Sequence, residues 1–459
     1  MKRERGIDDN ASSDSRPRTR RYHIETWGCQ MNVHDSEKLA GSLESNGYHR
    51  ADNVEDADVI LLNTCAIREK AAEKMFSELG RLKGVKDHRP GAVIAVCGCV
   101  AQQEGSRIFD RARHVDFVIG PRATSSLPML IDGAARGSRH VVDLEYRDDS
   151  IRFPFDLIER HGLHTRKAFV TIIEGCNHRC TFCVVPRTRG PEISRGLDEI
   201  VREVRHLAER GVCEVEFLGQ TVNAYRDAAG NSLAELLLAA SRVDGIERIR
   251  FTTSHPAQMS DRLMDAMAAV APTVCPYLHL PVQSGSSRVL GAMRRGYDRE
   301  RYLRKVKALR ARIPEISLGT DMIVGFPGET DAEFEQSVTL LDEVGYDTMY
   351  SYVYSPRPET AALKLDEAVS ASVGRERLER LQVHQREIQQ RRNRSWIGRR
   401  VEVLVEGPSK RDPSEWTGRP PESRVVNFCG PSDVGRRESV IIVDSSAFSL
   451  RGEPVSAIP

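Results

Sequence analysis

The 459-residue sequence predicts an α/β protein in three parts: an N-terminal doubly wound parallel-sheet domain, an incomplete (β/α)6 barrel, and a small C-terminal antiparallel β-barrel. Three observations predict it. Strand-like and helix-like segments alternate from Tyr22 to Arg136, and alternate again about six times from Phe169 to Tyr354. Short continuous apolar runs, such as Val59-Ile60-Leu61-Leu62, suit strands buried on both faces of a parallel sheet. Beyond Trp396 the pattern becomes β-rich, with Gly407-Pro408-Ser409 and Gly430-Pro431-Ser432 as turns.

Residues 1–20 carry charges, Ser and Pro but no apolar segment, so they are expected to form a disordered tail and not an export signal. The first unit, 21–137, reads as strands Tyr22–Thr26, Asp58–Asn63, Ala92–Val96 and Val115–Ile119. Helices Val33–Asn46, Arg68–Lys83, Ala101–Ala112 and Thr124–Ala135 follow them in turn. Gly47 and Gly84 stand where the first two helices should stop. The polar stretch Asp143–Arg166 reads as a linker.

The second unit, 162–394, has strands at Phe169–Ile173, Glu214–Leu218, Arg248–Thr252, Tyr277–Leu280, Ile316–Val324 and Thr348–Tyr354, too few for a full eight-fold barrel. Its helix Leu197–Arg210 carries Ile200, Val201, Val204, Leu207 and Ala208 at the spacing of one buried face. The third unit, 396–459, has strands at Val401–Glu406, Arg424–Phe428 and Glu438–Asp444. A helix within Arg375–Arg400 leads into it, and that segment holds nine Arg against three Glu.

Overall charge excludes little. With 67 basic and 66 acidic residues the net charge is +1, so any nucleic-acid surface must be local, and Arg375–Arg400 is one candidate. No run of about 18 apolar residues predicts a membrane span. Ten cysteines without an export signal point to a reducing, cytoplasmic setting, where clustered cysteines serve metals or catalysis.

The segment EGCNHRCTFCVVPRTRG, Glu174–Gly190, spaces Cys176, Cys180 and Cys183 as C-x3-C-x2-C directly after the first strand of the second unit. Three thiolates on one loop can ligate three irons of a cube and leave the fourth open to a small molecule. A structural zinc needs four closed ligands, and His178, inside the loop, is poorly placed to supply the fourth. A second set is spread out. Cys29, Cys65 and Cys99 each follow a strand of the first unit, 36 and 34 residues apart, about one β-α repeat each. Strand ends of a parallel sheet share one edge, so these three can converge on a second cluster; three separately buried thiols are the alternative. Cys97 reads as a core residue, and Cys213, Cys275 and Cys429 as buried structural thiols.

The C-x3-C-x2-C segment closely resembles the defining motif of the radical S-adenosylmethionine superfamily. ETWGCQMN (Glu25–Asn32), NTCAIREKA (Asn63–Ala71) and GCVAQQEG (Gly98–Gly105) resemble the ligand motifs of the methylthiotransferase N-terminal domain within it. The segments from Trp396 to Val405 and from Ser449 to Pro454 resemble the start and end of a TRAM domain, an RNA-binding β-barrel. The resemblance covers nearly everything from Tyr22 onward. It implies that Cys176, Cys180 and Cys183 hold a 4Fe-4S cluster that binds S-adenosylmethionine, and that Cys29, Cys65 and Cys99 hold an auxiliary 4Fe-4S cluster that carries sulfur.

Family members modify a ribosomal-protein aspartate, a threonylcarbamoyl-adenosine of tRNA, or an isopentenyl- or dimethylallyl-adenosine at tRNA position 37. FLGQTVNAY (Phe217–Tyr225), HLPVQSGS (His279–Ser286) and DMIVGFPGET (Asp321–Thr330) look most like the last group. The implied reaction is methylthiolation of adenine carbon 2 using two S-adenosylmethionine molecules, with tRNA and an electron donor such as flavodoxin or ferredoxin as partners and a monomeric enzyme. Two departures stand out: Thr221 where Asn is expected, and Glu359-Thr360 where Gly-Thr is usual. Neither is expected to touch a cluster ligand. A non-catalytic iron–sulfur RNA sensor is the reading from another class.

Other candidates are less determined. Glu216, Gln220, His255, Gln283 and Asp321 lie at strand ends, where barrel sites form. Each suits either S-adenosylmethionine or adenine, or a buried backbone group. Lys167, Arg187 and Arg189 suit phosphate or plain surface solvation. Trp396, Trp416 and Phe428 are the aromatics considered for base stacking in the last unit, with Trp396 assigned to its core.

Overall fold

The computed structural model describes residues 20–66, 69–147 and 166–455, so nearly all of the expected tail and residues 148–165 of the expected linker lie outside the described residues. The first sheet has six parallel strands: β1 (Arg21–Trp27), β2 (His49–Arg50), β3 (Val59–Thr64), β4 (Val93–Cys97), β5 (Phe117–Ile119) and β6 (Val141–Asp143). They lie in the order β2-β1-β3-β4-β5-β6. β3 and β4 are buried at every position, as their unbroken apolar runs require. Their side chains alternate between two cores. Ile60, Leu62, Ile94 and Val96 pack with Met75, Leu79 and Leu82 of the helix Glu69–His88. Val59, Leu61, Val93 and Ala95 pack with Leu39 and Leu43 of the helix Gln30–Ser45 and with Leu127 of the helix Leu127–Ala135.

This is the doubly wound domain the pattern predicts, with two extra edge strands. β2 and β6 are two and three residues long, too short to show periodicity, and β6 lies past residue 137, where the unit was expected to end. Two helices also differ from expectation. Glu69–His88 continues through Gly84 because Lys86 is tied to Asp116 at 2.6 Å and to the Ala92 carbonyl. The segment Ala101–Ala112 is two helices, Gly98–Glu104 and Arg107–Arg111, broken at Gly105.

The second unit holds β7 (Lys167–Thr171), a small ribbon of β8 (Ile173–Glu174) and β9 (Ile193–Ser194), then β10 (Glu214–Leu218), β11 (Arg248–Phe251), β12 (Tyr277–His279), β13 (Ser317–Val324) and β14 (Thr348–Val353). β7-β10-β11 and β12-β13-β14 are parallel sheets joined by one bridge, Ile249 to Val274, giving the six strands of the predicted incomplete barrel. Val215, Phe217, Ile249 and Phe251 face the apolar core under the helices. The alternate positions carry charges that neutralise one another: Arg250 Nε donates to Glu214 at 2.9 Å, and Lys167 Nζ lies 2.8 Å from Glu216. The helix Leu197–Glu209 buries Ile200, Val204 and Leu207 as its spacing predicts, and also Glu203, which pairs with Arg195 at 2.6 Å.

The helix Asp331–Val344 begins with a capping box. Thr330 Oγ1 accepts the Glu333 amide, Glu333 accepts the Thr330 amide, and Arg288 holds the same carboxylate. The Arg288 hydrogen bond, above all, lowers Glu333 from 4.5 to about 2. Its stabilisation is therefore complete above pH 4.5 and is lost as pH falls toward 2. We expect Thr330→Ala to cost about 1 kcal/mol in urea unfolding. Glu333→Gln should remove its share of the stability decline across that acid window.

The last unit is a closed barrel of β15 (Arg400–Pro408), β16 (Trp416–Arg419), β17 (Val426–Phe428), β18 (Arg437–Ser445) and β19 (Leu450–Pro454), in the order β15-β16-β17-β19-β18. The pattern revealed three of these five; Gly418 and Gly452 interrupt the alternation in β16 and β19. Trp396 and Phe428 belong to its core and Trp416 is half-buried against it. Phe448, 61% exposed and absent from the sequence-based candidates, is the large aromatic at its surface. The barrel is fastened to the second unit. Arg248 and Arg250 donate to the carbonyls of Arg419, Pro420 and Pro421, and Asp347 receives both Arg392 and Arg424.

Candidate active site

The strand order reverses between β1 and β3, and a doubly wound sheet binds ligands at the carboxyl ends of its strands there. Cys29, Cys65 and Cys99 follow β1, β3 and β4 at that edge. Close packing of the loops requires glycine at two points. A Cβ on Gly28 would come within 2.9 Å of the Cys65 Cβ, and one on Gly98, at φ +84°, within 2.2 Å of Asn63 Oδ1. Asn63 Nδ2 donates to the Asn32 carbonyl and to Ser36 Oγ, each at 2.9 Å, tying β3 to the helix that Cys29 caps.

Cys29 is hydrogen-bonded to Cys65 and lies close enough to Cys99 for the two to interact. The Cys65 hydrogen bond pulls Cys29 down to about 6, helped by the charge of Arg189. Burial pushes Cys99 up, and the nearby Cys29 adds to that. Cys97, two residues earlier, is buried in the core on the opposite face of the sheet, and burial alone pushes it up.

Arg189, which the sequence reading placed among surface or phosphate-binding residues, is fully buried. Its Nε donates to Cys99 Sγ at 3.2 Å, its Nη1 to Glu174 at 2.9 Å, and its Nη2 to Asp35 at 2.6 Å. One guanidinium thus spans both units, because Asp35 and Cys99 belong to the first and Glu174 and Arg189 to the second. His34 Nδ1 and Thr171 Oγ1, 2.8 Å apart, add a second link.

Cys176, Cys180 and Cys183 line a cavity of about 950 Å³. Each has a defined neighbour. Thr221 Oγ1 lies 3.3 Å from Cys176 Sγ, Arg295 Nη1 donates to Cys180 Sγ at 3.3 Å, and burial pushes Cys183 up to about 12. The expectation that Thr221 stands away from the cluster ligands is corrected here. Glu359, the other departure, lines the same cavity. Among the described residues no three His, Cys, Asp or Glu side chains close on a single metal ion. A cube asks for something else, one thiolate per iron corner. Three cysteines on one wall, with a donor on one sulfur of each trio, fit that demand.

The remaining candidates divide. Gln220 Oε1 accepts the Gly175 amide at 2.5 Å and so holds the cysteine loop. His255 stacks on His178 at 3.9 Å, accepts the Ala257 amide, and is pushed down to about 2 by burial, then by Arg295 and His178. It is neutral at physiological pH. Lys167 pairs with Glu216 at 2.8 Å. Asp321 accepts His279 Nε2 at 2.9 Å, and Gln283, at φ +78°, bonds Asp321 and Ile323 through its backbone. Cys213 and Cys275 are buried as expected, but Cys429 is exposed, at the end of the short strand β17. Asp35 and Arg295 carry no local sequence signal: each is one charged residue on a helix or loop, remote in sequence from its partner, Arg189 for Asp35 and Cys180 for Arg295.

Comparison with known proteins agrees with this geometry. Residues 21–120 match the model of uncharacterized protein family UPF0004, 170–341 the radical SAM superfamily, and 394–455 the TRAM domain. Among solved structures, the radical S-adenosylmethionine methyltransferase TsrM from Kitasatospora setae is similar in fold, with a TM-score of 0.56 at 15% identity over 75% of this chain and 77% of that one. Fold and site therefore define a radical S-adenosylmethionine enzyme, a class that works with a 4Fe-4S cluster and S-adenosylmethionine. The chain is 48% identical, over 95% of its length and 97% of the relative's, to the tRNA-2-methylthio-N(6)-dimethylallyladenosine synthase of Alkalilimnicola ehrlichii. It is 47% identical to that of Pseudoalteromonas atlantica over 95% and 92%, and 46% to that of Hahella chejuensis over 95% and 98%. It belongs to the family of the tRNA-2-methylthio-N(6)-dimethylallyladenosine synthases. Among the described residues no helix is long and apolar enough to cross a membrane.

Proposed function

We propose that this enzyme installs a methylthio group on carbon 2 of N6-isopentenyl- or dimethylallyl-adenosine at position 37 of tRNA, beside the anticodon. The observation that carries the reading is a cysteine trio in each of two units, with the buried Arg189 joining Cys99 and Asp35 of the first unit to Glu174, two residues before Cys176, in the second. We assign Cys176, Cys180 and Cys183 to the 4Fe-4S cluster that meets S-adenosylmethionine, and Cys29, Cys65 and Cys99 to an auxiliary 4Fe-4S cluster. The units are a methylthiotransferase N-terminal domain (21–137), a radical S-adenosylmethionine core (162–394) and a TRAM domain (396–459). The enzyme acts as a cytoplasmic monomer, reduced by flavodoxin or ferredoxin.

The target explains the design. The C2–H bond of adenine is not acidic, and a side-chain base cannot take its proton near neutral pH. When bound, the clusters and S-adenosylmethionine supply single electrons, a hydrogen-abstracting group, sulfur and methyl. The protein's residues position and seclude. Arg295 and Thr221 orient two sulfurs of one trio, Arg189 orients one of the other, and the burial of Cys176 and Cys99 keeps water from those two thiolates.

The test is anaerobic reconstitution followed by reaction with tRNA bearing the isopentenyl group. The expected result is about eight irons per chain, two cubes, and a 2-methylthio nucleoside in the tRNA digest. A product found instead on threonylcarbamoyl-adenosine or on protein would overturn the substrate; four irons would overturn the second cluster.

A further inference from the structure

The mouth of the cavity over Cys176, Cys180 and Cys183 is ringed by Arg179, Arg187, Arg294 and Lys364, with Glu359 the carboxylate among them. All four cations are exposed, although the sulfurs below them are not. Glu359 pairs with Arg187. Among the described residues Arg179, Arg294 and Lys364 pair with no carboxylate. The basic helix predicted as the RNA-binding element differs. Ala371–Arg394 uses Arg377 on Glu329 and Asp331, Arg380 on Glu335, and Arg392 on Asp347. Three of that helix's seven arginines are committed to ion pairs, whereas three of the four cations lining the cavity have no carboxylate partner among the described residues.

We propose that this ring is the docking surface for the RNA phosphates that flank the target nucleotide, and that Glu359 holds Arg187 until a phosphate displaces it. The proposal rests on the reading of the site as one that modifies a tRNA base. Three exposed cations around the cavity match a polyanion whose one nucleotide must be turned inward, since phosphate contacts fix register while the base is read below. Glu359 sits at φ +61°, a left-handed conformation that suits glycine and strains an ordinary residue. A strained carboxylate at the rim of a phosphate site weakens RNA binding, which suits release of the modified product.

The experiment is equilibrium binding of isopentenylated tRNA to the reconstituted enzyme between low and moderate salt, by fluorescence anisotropy. Each of Arg179→Gln, Arg294→Gln and Lys364→Gln should reduce the slope of log affinity against log salt by roughly one unit at most. Glu359→Gln should tighten binding. Thermal unfolding matching the parent establishes that the variants are folded, as expected for exposed positions. If the triple variant keeps the parent's salt slope, the ring is not the phosphate surface; if Glu359→Gln binds more weakly, the holding role of Glu359 falls. If the parent itself does not bind tRNA, the substrate reading fails, and not the placement of the ring within it.

Discussion

Alanine in place of Cys29, Cys65 or Cys99 is expected to lower methylthiolated product by at least about 100-fold while reduction still releases 5′-deoxyadenosine from S-adenosylmethionine. Alanine in place of Cys176, Cys180 or Cys183 should abolish both. The contrast follows from placement. The first trio stands at the end of the N-terminal sheet and the second on the barrel loop that walls the cavity, so each can be emptied with the other intact. Liquid chromatography with mass detection reads both products from one anaerobic reaction, and iron content should fall by about half in either group. Undiminished product from the first group would refute its assignment. Loss of 5′-deoxyadenosine in all six variants would mean that the trios are not separable.

Arg189→Met carries the second large effect. Removing this guanidinium leaves Asp35, Glu174 and Cys99 buried together without their shared cation. Breaking one side of a buried ionic network costs about 3–5 kcal/mol, read here as a shift of the urea midpoint. Arg189→Lys keeps the charge but cannot reproduce three donors aimed at three groups. It should recover part of the stability and leave the auxiliary cluster poorly held, with altered spectra and partial iron loss. A midpoint unchanged in both variants would show that the bridge contributes nothing. Lys38, buried beside Glu174 and Asp35, takes part in the same balance, and its pKa is lowered by that burial.

These two predictions differ in what made them available. The six cysteines could be read from the chain alone. C-x3-C-x2-C is a local spacing, and the other trio repeats at the length of a β-α unit, so both kinds of regularity survive in a linear string. The same holds for the strands. β3 and β4 are runs of apolar residues because both their faces are covered, and β10 appears at its observed limits. Short edges were not legible: β2, β6, β16 and β19 are too brief or too interrupted by glycine to impose a period.

What lay beyond the linear string is the pairing of charges across units. Arg189 and Asp35 are 154 residues apart, Arg295 and Cys180 are 115 apart, and Arg250 meets the Pro420 carbonyl 170 residues on. Nothing in composition marks which of 67 cations will be buried, since arginine on a surface and arginine in a core are the same letter. Only folding brings Arg189 of one unit against Asp35 and Cys99 of the other, removes water from around them, and so strengthens an ion pair that would be weak in solvent. Local order wrote the cysteine spacings into the chain; desolvation in three dimensions chose the partners of the charges around them.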